Sequence, residues 1–252
     1  MRSRAFYRFL STAAAAAAVC TFACPQADAK AKSKKSPVIG VVTEGIAERL
    51  HSVKKKGTKK GTDTGKTFTA LCDGTLASWK VSDLGDDGAW VGGFVGGNKP
   101  KHCLLLDTPA DPSMAAKGRP NATTAQTTAA RSAAIAALTP KSGVAPTKVE
   151  VVVFNDGEGF VAVAQSTAQN SGKGNCLDHT SLVILSESEG GAWKSVFKPT
   201  AKVKDVCGYS FFTRGDIDGD GRDEIALRVD KGEGYGYRVL KRSKGSYSVI
   251  VK

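Results

Sequence analysis

Histidine is scarce in this chain: only His51, His102 and His179 occur among 252 residues, which excludes a histidine-rich metal centre. No apolar run outside the N-terminus reaches the length of a membrane span, so the mature chain is predicted to carry none. Catalysis needs a convergent acid, base or nucleophile, and no G-x-S-x-G motif is present. His51 lies in lysine-rich sequence, His102 stands beside Cys103, and the Asp178-His179 pair reads as surface polar sequence. The chain is therefore expected not to be an enzyme, an enzyme with an unrecognised site being the alternative. Cys72, Cys103, Cys176 and Cys207 never stand at the C-x₂₋₄-C spacing that zinc favours. The Gly61 to Thr67 stretch has three residues between its glycines where a phosphate-binding loop requires four.

What the chain has in excess is positive charge, +12 in all. Its distribution decides what it means. Residues 30–66 hold eleven Lys/Arg against Glu44, Glu48 and Asp63, whereas residues 67–252 hold 22 against 20 acidic groups. Lys54, Lys55, Lys56, Lys59 and Lys60 alternate there with Gly and Thr, a composition that disfavours a packed core. Residues 30–66 are thus expected to form a mobile basic arm, with Val42, Ile46, Leu50 and Val53 at the spacing of one short amphipathic helix. Such an arm suits an anionic envelope surface or a solvated spacer. Nucleic acid is excluded as a partner, because base recognition needs aromatic or arginine contacts and the arm has only Arg49, with Phe68 beyond its end.

The first 29 residues read as an address. Arg2, Arg4 and Arg8 precede an apolar stretch over 9–23, and Ala27-Asp28-Ala29 offers the small residues of a cleavage site. This is the layout of a secretory signal peptide, most simply a bacterial one. Thr21-Phe22-Ala23-Cys24 also resembles a lipobox, which makes a lipid anchor at Cys24 the alternative. The body keeps four cysteines, and an even count in an exported chain predicts two disulfides with three possible connectivities. The equal separations of 31 residues favour Cys72 with Cys103 and Cys176 with Cys207.

From Phe68 onward, short runs rich in Val, Ile and aromatics alternate with Gly and Asp clusters. Residues 90–95, 103–106, 149–154, 160–164, 181–185, 193–197, 225–229, 237–240 and 247–251 predict β-strands. Their short gaps suit antiparallel hairpins. Residues 109–146 are rich in Ala, Thr and Pro, and 124–138 reads either as a helix ended by Pro140 or as a flexible linker. An internal repeat relates 182–198 to 237–252, and places 151–165 opposite 211–229. A fainter copy over 67–108 is expected around Asp83 to Gly88.

The most specific chemistry is the run from Asp216 to Ile225. Asp216, Asp218 and Asp220 put oxygen donors at positions 1, 3 and 5, and Gly221 at position 6 permits the sharp turn that wraps a hard cation such as Ca²⁺. The carbonyl of Arg222 and the carboxylate of Glu224 would complete the shell. An EF-hand is excluded, because Asp223 and Leu227 stand where an apolar residue and a bidentate Glu are needed. Glycine, then D-x-D-G-D-G-x-x-E and an aliphatic strand, resembles the FG-GAP/VCBS repeats of integrin-type propellers and bacterial surface proteins. Glu224 stands where that family usually has Asp. The resemblance implies a β-sheet repeat unit with a structural calcium, serving adhesion, lectin-like binding or scaffolding.

A closed propeller takes at least four blades, and this chain has material for two or three. The expected fold is therefore mainly β, a small disulfide-stapled antiparallel domain of two related, blade-like units over 147–252. The expected function is an exported calcium-binding module at the cell envelope or outside the cell, with a protein or glycan ligand. Docking on anionic lipid or polysaccharide through residues 30–66 is the alternative.

Overall fold

The computed structural model describes residues 38–43, 46–49, 63–85, 89–97, 99–109, 111–116, 118–140, 146–169, 176, 178–199 and 206–251, all within the unit Lys35–Lys252. Residues 1–29, expected to be a signal peptide, and Cys24, His51 and the lysines at 54–60 lie outside the described residues.

Six strands close an antiparallel barrel: β1 (Val38–Thr43), β2 (Ile46–Arg49), β3 (Thr67–Cys72), β4 (Thr75–Leu84), β5 (Trp90–Val95) and β6 (His102–Leu106). Their order is β1-β2-β5-β4-β3-β6, with β6 returning to β1. This overturns the reading of 30–66 as one mobile arm. Val38 to Val42 are β-branched but for Gly40, and β1 is buried between β2 and β6. Val42 and Ile46, four apart, do not share a helix face. They lie on two strands of a tight hairpin, in which Val42 faces Ala47 and Thr43 faces Ile46.

Residues 67–108 likewise do not stand as a further copy of the sheet unit. They supply four barrel strands and need 38–49 to close, which removes the exposed edges an isolated small sheet would carry. The barrel interior holds Ile39, Val42, Ala70, Trp79, Val81, Trp90 and Leu105. Cys72 on β3 and Cys103 on β6 form a disulfide within it.

The second sheet contains β7 (Glu150–Asn155), β8 (Phe160–Gln169), β9 (Asp178–Glu187), β10 (Trp193–Phe197), β11 (Val206–Gly215), β12 (Glu224–Lys231), β13 (Gly234–Ser243) and β14 (Ser246–Val251). The order is β14-β13-β12-β11-β9-β8-β7, with β10 also on β9. Strand β9 is the joint: β10 pairs with its C-terminal part, and β11 runs parallel to it at Thr180, opposite Gly208. A Cβ on Gly208 would meet the Thr180 backbone oxygen at 2.5 Å, so glycine is what lets the strands approach. The disulfide Cys176–Cys207 closes the same junction.

Alternation along the strands sorts the core into layers. Val161, Val163, Leu182 and Ile184 of β8 and β9 share one cluster with Ile225, Leu227 and Val229 of β12 and Leu240 of β13. Their neighbours Ala162, Ala164, Val183 and Leu185 face the helix α1 (Thr124–Leu138). Ala226 and Val239 instead face barrel residues Val38, Val41, Leu71, Leu104 and Leu106. The two halves of the sheet thus share an inner core, with the helix outside one half and the barrel outside the other.

Of the two readings of 124–138, the helix is the one formed. Thr123 and Gln126 make a reciprocal capping box, which satisfies amide groups that a helix start leaves open. Ala130, Ala134 and Leu138, four apart, form its buried face. The two alanines let the helix lie close on the sheet.

Candidate metal centre

Strands β11 and β12 pair from Val206 with Lys231 to Gly215 with Glu224, and the loop between them carries the acidic run. Asp216 is fully buried at its start. Its Oδ1 accepts from the amides of Gly219 at 2.7 Å and Asp220 at 3.0 Å, and its Oδ2 accepts from Gly221 at 2.7 Å. Gly219 and Gly221 have φ of 75° and 86°, the left-handed region in which glycine is favoured. At the other end Glu224, also buried, accepts from the Ile217 amide at 2.8 Å. Ile217 in turn is buried in the core between sheet and barrel, so the loop is anchored by its own apolar residue.

The fold brings together three of the expected ligands. Carboxylate oxygens of Asp216, Asp218 and Glu224 lie within 4.8 Å of one another. Oxygens at 2.3–2.6 Å from a Ca²⁺ ion are separated by no more than roughly 5 Å, so the donor set fits that ion. Burial pushes Asp216 above the usual carboxylate range and Glu224 up to about 8. A bound cation would reverse both trends by favouring the charged forms.

Asp220 is not part of that cluster among the described residues. Its Oδ1 accepts from the Arg222 amide at 3.0 Å, and its Oδ2 accepts from Lys241 at 2.8 Å. The expected ligand atom of Arg222 is its carbonyl, which leaves its guanidinium free to pair with Glu158 at 2.7 Å. The ammonium of Lys241, on β13, also donates to Asp218 and lies 3.5 Å from Glu224. Burial disfavours that ammonium, but the bonds to Asp218 and Asp220 outweigh it and hold Lys241 above its ordinary value.

Around the loop runs a set of buried ion pairs that sequence reasoning missed. Asp223 is fully buried, with Arg119 on one oxygen and Arg214 on the other, both at 2.5 Å. Arg214 continues to Asp73 in the barrel turn between β3 and β4 at 3.0 Å. In the turn between β7 and β8, buried Asp156 receives Arg242 at 2.8 Å and the Tyr247 hydroxyl at 3.1 Å. Its other oxygen accepts from the amides of Glu158 and Gly159. The two turns are joined directly, since the Asp223 amide donates to the Asp156 carbonyl at 2.8 Å. Arg119 also donates to the carbonyls of Asn155 and Gly221, one in each turn.

No protein-family model, curated protein or solved structure matches this chain. Two disulfides fit an oxidising environment, and no helix among the described residues is long and apolar enough to cross a membrane. Of the remaining titratable candidates, His102 packs against Phe212 with ring centroids 4.9 Å apart. His179 shares a hydrogen bond with the Cys207 carbonyl at 3.0 Å. Asp178 precedes it on β9, and successive strand residues point to opposite faces, so the two do not form a dyad.

Proposed function

We propose that this chain is an exported, calcium-stabilised β module that serves binding or structure at the cell envelope or outside the cell. The observation that carries the reading is the convergence of Asp216, Asp218 and Glu224, two of them buried, within the separation that a calcium ion can span. Burying carboxylates without a compensating charge is costly; of the five in this loop Asp223 is paired with two arginines, and one ammonium, that of Lys241, does not balance Asp216, Asp218, Asp220 and Glu224. The loop calcium is structural in this reading. It fixes the turn that anchors Ile217 between sheet and barrel and that abuts the Asp156 turn.

The strand order supports a sheet of two related units. The first unit is β7-β8-β9-β10 and the second is β11-β12-β13-β14. The aligned stretches 182–198 and 237–252 fall on β9–β10 and on β13–β14. The Asp156 turn and the Asp216 loop occupy the same hairpin of each unit, one neutralised by arginine and the other suited to a metal ion.

The test is thermal unfolding of the full chain in Ca²⁺ or EGTA. Extracellular modules bind calcium at about 10⁻⁴–10⁻³ M, so 1 mM Ca²⁺ should stabilise by about 0.4–1.4 kcal/mol through mass action. Asp218→Ala should abolish the difference. Identical wild-type curves in the two buffers would remove the calcium reading.

A further inference from the structure

The loop between β11 and β12 already meets a cation, and it belongs to the chain. Lys241 donates to Asp218 and to Asp220, and its ammonium stands 3.5 Å from a Glu224 oxygen. Asp218 and Glu224 are two of the three residues whose oxygens converge. We propose that Lys241 is a tethered competitor for the calcium site, so that calcium binds by displacing its ammonium and the position of Lys241 sets the affinity. The inference rests on the calcium reading and adds the residue that regulates it.

Three features of the molecule support displacement over shared occupancy. First, the same oxygens are used. An ammonium hydrogen-bonded to Asp218 and a divalent ion ligated by it are like charges a few ångströms apart, and they repel strongly in a partly buried site. Second, Lys241 can leave. Its side chain is 27% exposed and sits on a flexible four-carbon stem. Its neighbour Arg242 makes the contrast. That side chain is 10% exposed and is fixed by Asp156 and Ser186, so it is a permanent counter-ion for the other turn. Successive residues of β13 thus serve the two related turns, one with a fixed cation and one with a movable one.

Third, calcium has more to satisfy it than lysine has. An ammonium offers three donors, whereas calcium takes six to eight oxygens. Lys241 accordingly keeps the loop paired when calcium is scarce and yields when it is plentiful. The apparent affinity is the intrinsic one scaled by the fraction of chains whose loop is vacated.

The experiment is calorimetric titration of the full chain with CaCl₂, for wild type, Lys241→Met and Lys241→Arg. The methionine variant keeps the stem and removes the charge, and it should bind on the order of tenfold more tightly, the scale of two or three partly exposed ion pairs. The arginine variant keeps the charge and should stay close to wild type. A second readout needs no variant: brief acetylation followed by peptide mass spectrometry should label Lys241 more in saturating Ca²⁺ than in EGTA, with Lys244 as the reference. Equal or weaker calcium binding by Lys241→Met overturns the proposal and leaves the calcium reading standing. So does unchanged labelling of Lys241 in a wild-type chain that binds calcium. Absence of calcium binding in both wild type and Lys241→Met overturns the two together.

Discussion

Replacing Asp223 by alanine should destabilise the chain by about 3–5 kcal/mol, the range found when one partner of a buried ion pair is removed. The carboxylate is fully buried and receives a different guanidinium on each oxygen. Without it, Arg119 and Arg214 face one another, each 15% exposed, with no shared counter-charge. The damage spreads because each arginine ties other parts. Arg214 bonds Asp73 of the barrel and stacks 4.3 Å over the Phe154 ring. Arg119 holds a carbonyl in each of the two turns. Urea unfolding should show a lower midpoint at unchanged slope. Because Asp223 is not in the metal cluster, the loss should persist in EGTA. A change below about 1 kcal/mol would mean that both guanidiniums relax into water, and that the ion pairs are incidental. A double-mutant cycle with Arg119→Ala should return a coupling of about 0.5–3 kcal/mol.

That ion-pair set also marks where the sequence stops being informative. A strand leaves a local trace, because alternation of apolar and polar residues is read within a few positions. All nine predicted runs accordingly fall on β5 to β10 or β12 to β14. The helix is only half legible: its alanines and Pro140 are local but suit a linker equally, and the burial of Ala130, Ala134 and Leu138 against the sheet is what selects the helix. The convergence of Asp216, Asp218 and Glu224 is legible because one short turn positions them. Arg119 and Asp223 meet across 104 residues, and Lys241 reaches Asp218 across 23. No spacing rule links such pairs, since only the packed sheet brings them together. Asp223 did leave a faint signal: it is a charge at the position where an EF-hand loop carries an apolar residue. The Val42–Ile46 spacing misled because two short paired strands, one ending at Thr43 and the next starting at Ile46, reproduce the spacing of one helical turn. Barrel closure, which is non-local, decided between them. Lysine abundance in 30–66 hid the strands by lowering the average hydrophobicity of the segment.

Gly157→Ala should be the second large effect, at about 2–6 kcal/mol, combining backbone strain with overpacking. Gly157 has φ of 103°, outside the range of L side chains. A Cβ there would fall inside the contact distance of the Gly221 carbonyl oxygen and 3.3 Å from the Arg222 Cα. Neither obstacle is a side-chain end that could swing away, so the two turns would have to separate. Two neighbouring glycines divide the causes. Gly221 has φ of 86° but open space around its Cβ position, so Gly221→Ala should show strain alone, about 1–3 kcal/mol. Gly159 has open space and no positive φ, so Gly159→Ala should stay within about 1 kcal/mol. Chemical denaturation of the three variants decides the matter. If Gly157→Ala and Gly221→Ala cost the same, the close approach of the turns contributes nothing and they behave independently. If Gly157→Ala costs more and also shrinks the calcium-dependent shift in melting, the Asp156 turn is part of what holds the metal loop in shape. The arginine-neutralised turn would then be a buttress for the other, the two hairpins dividing support and ligation between them.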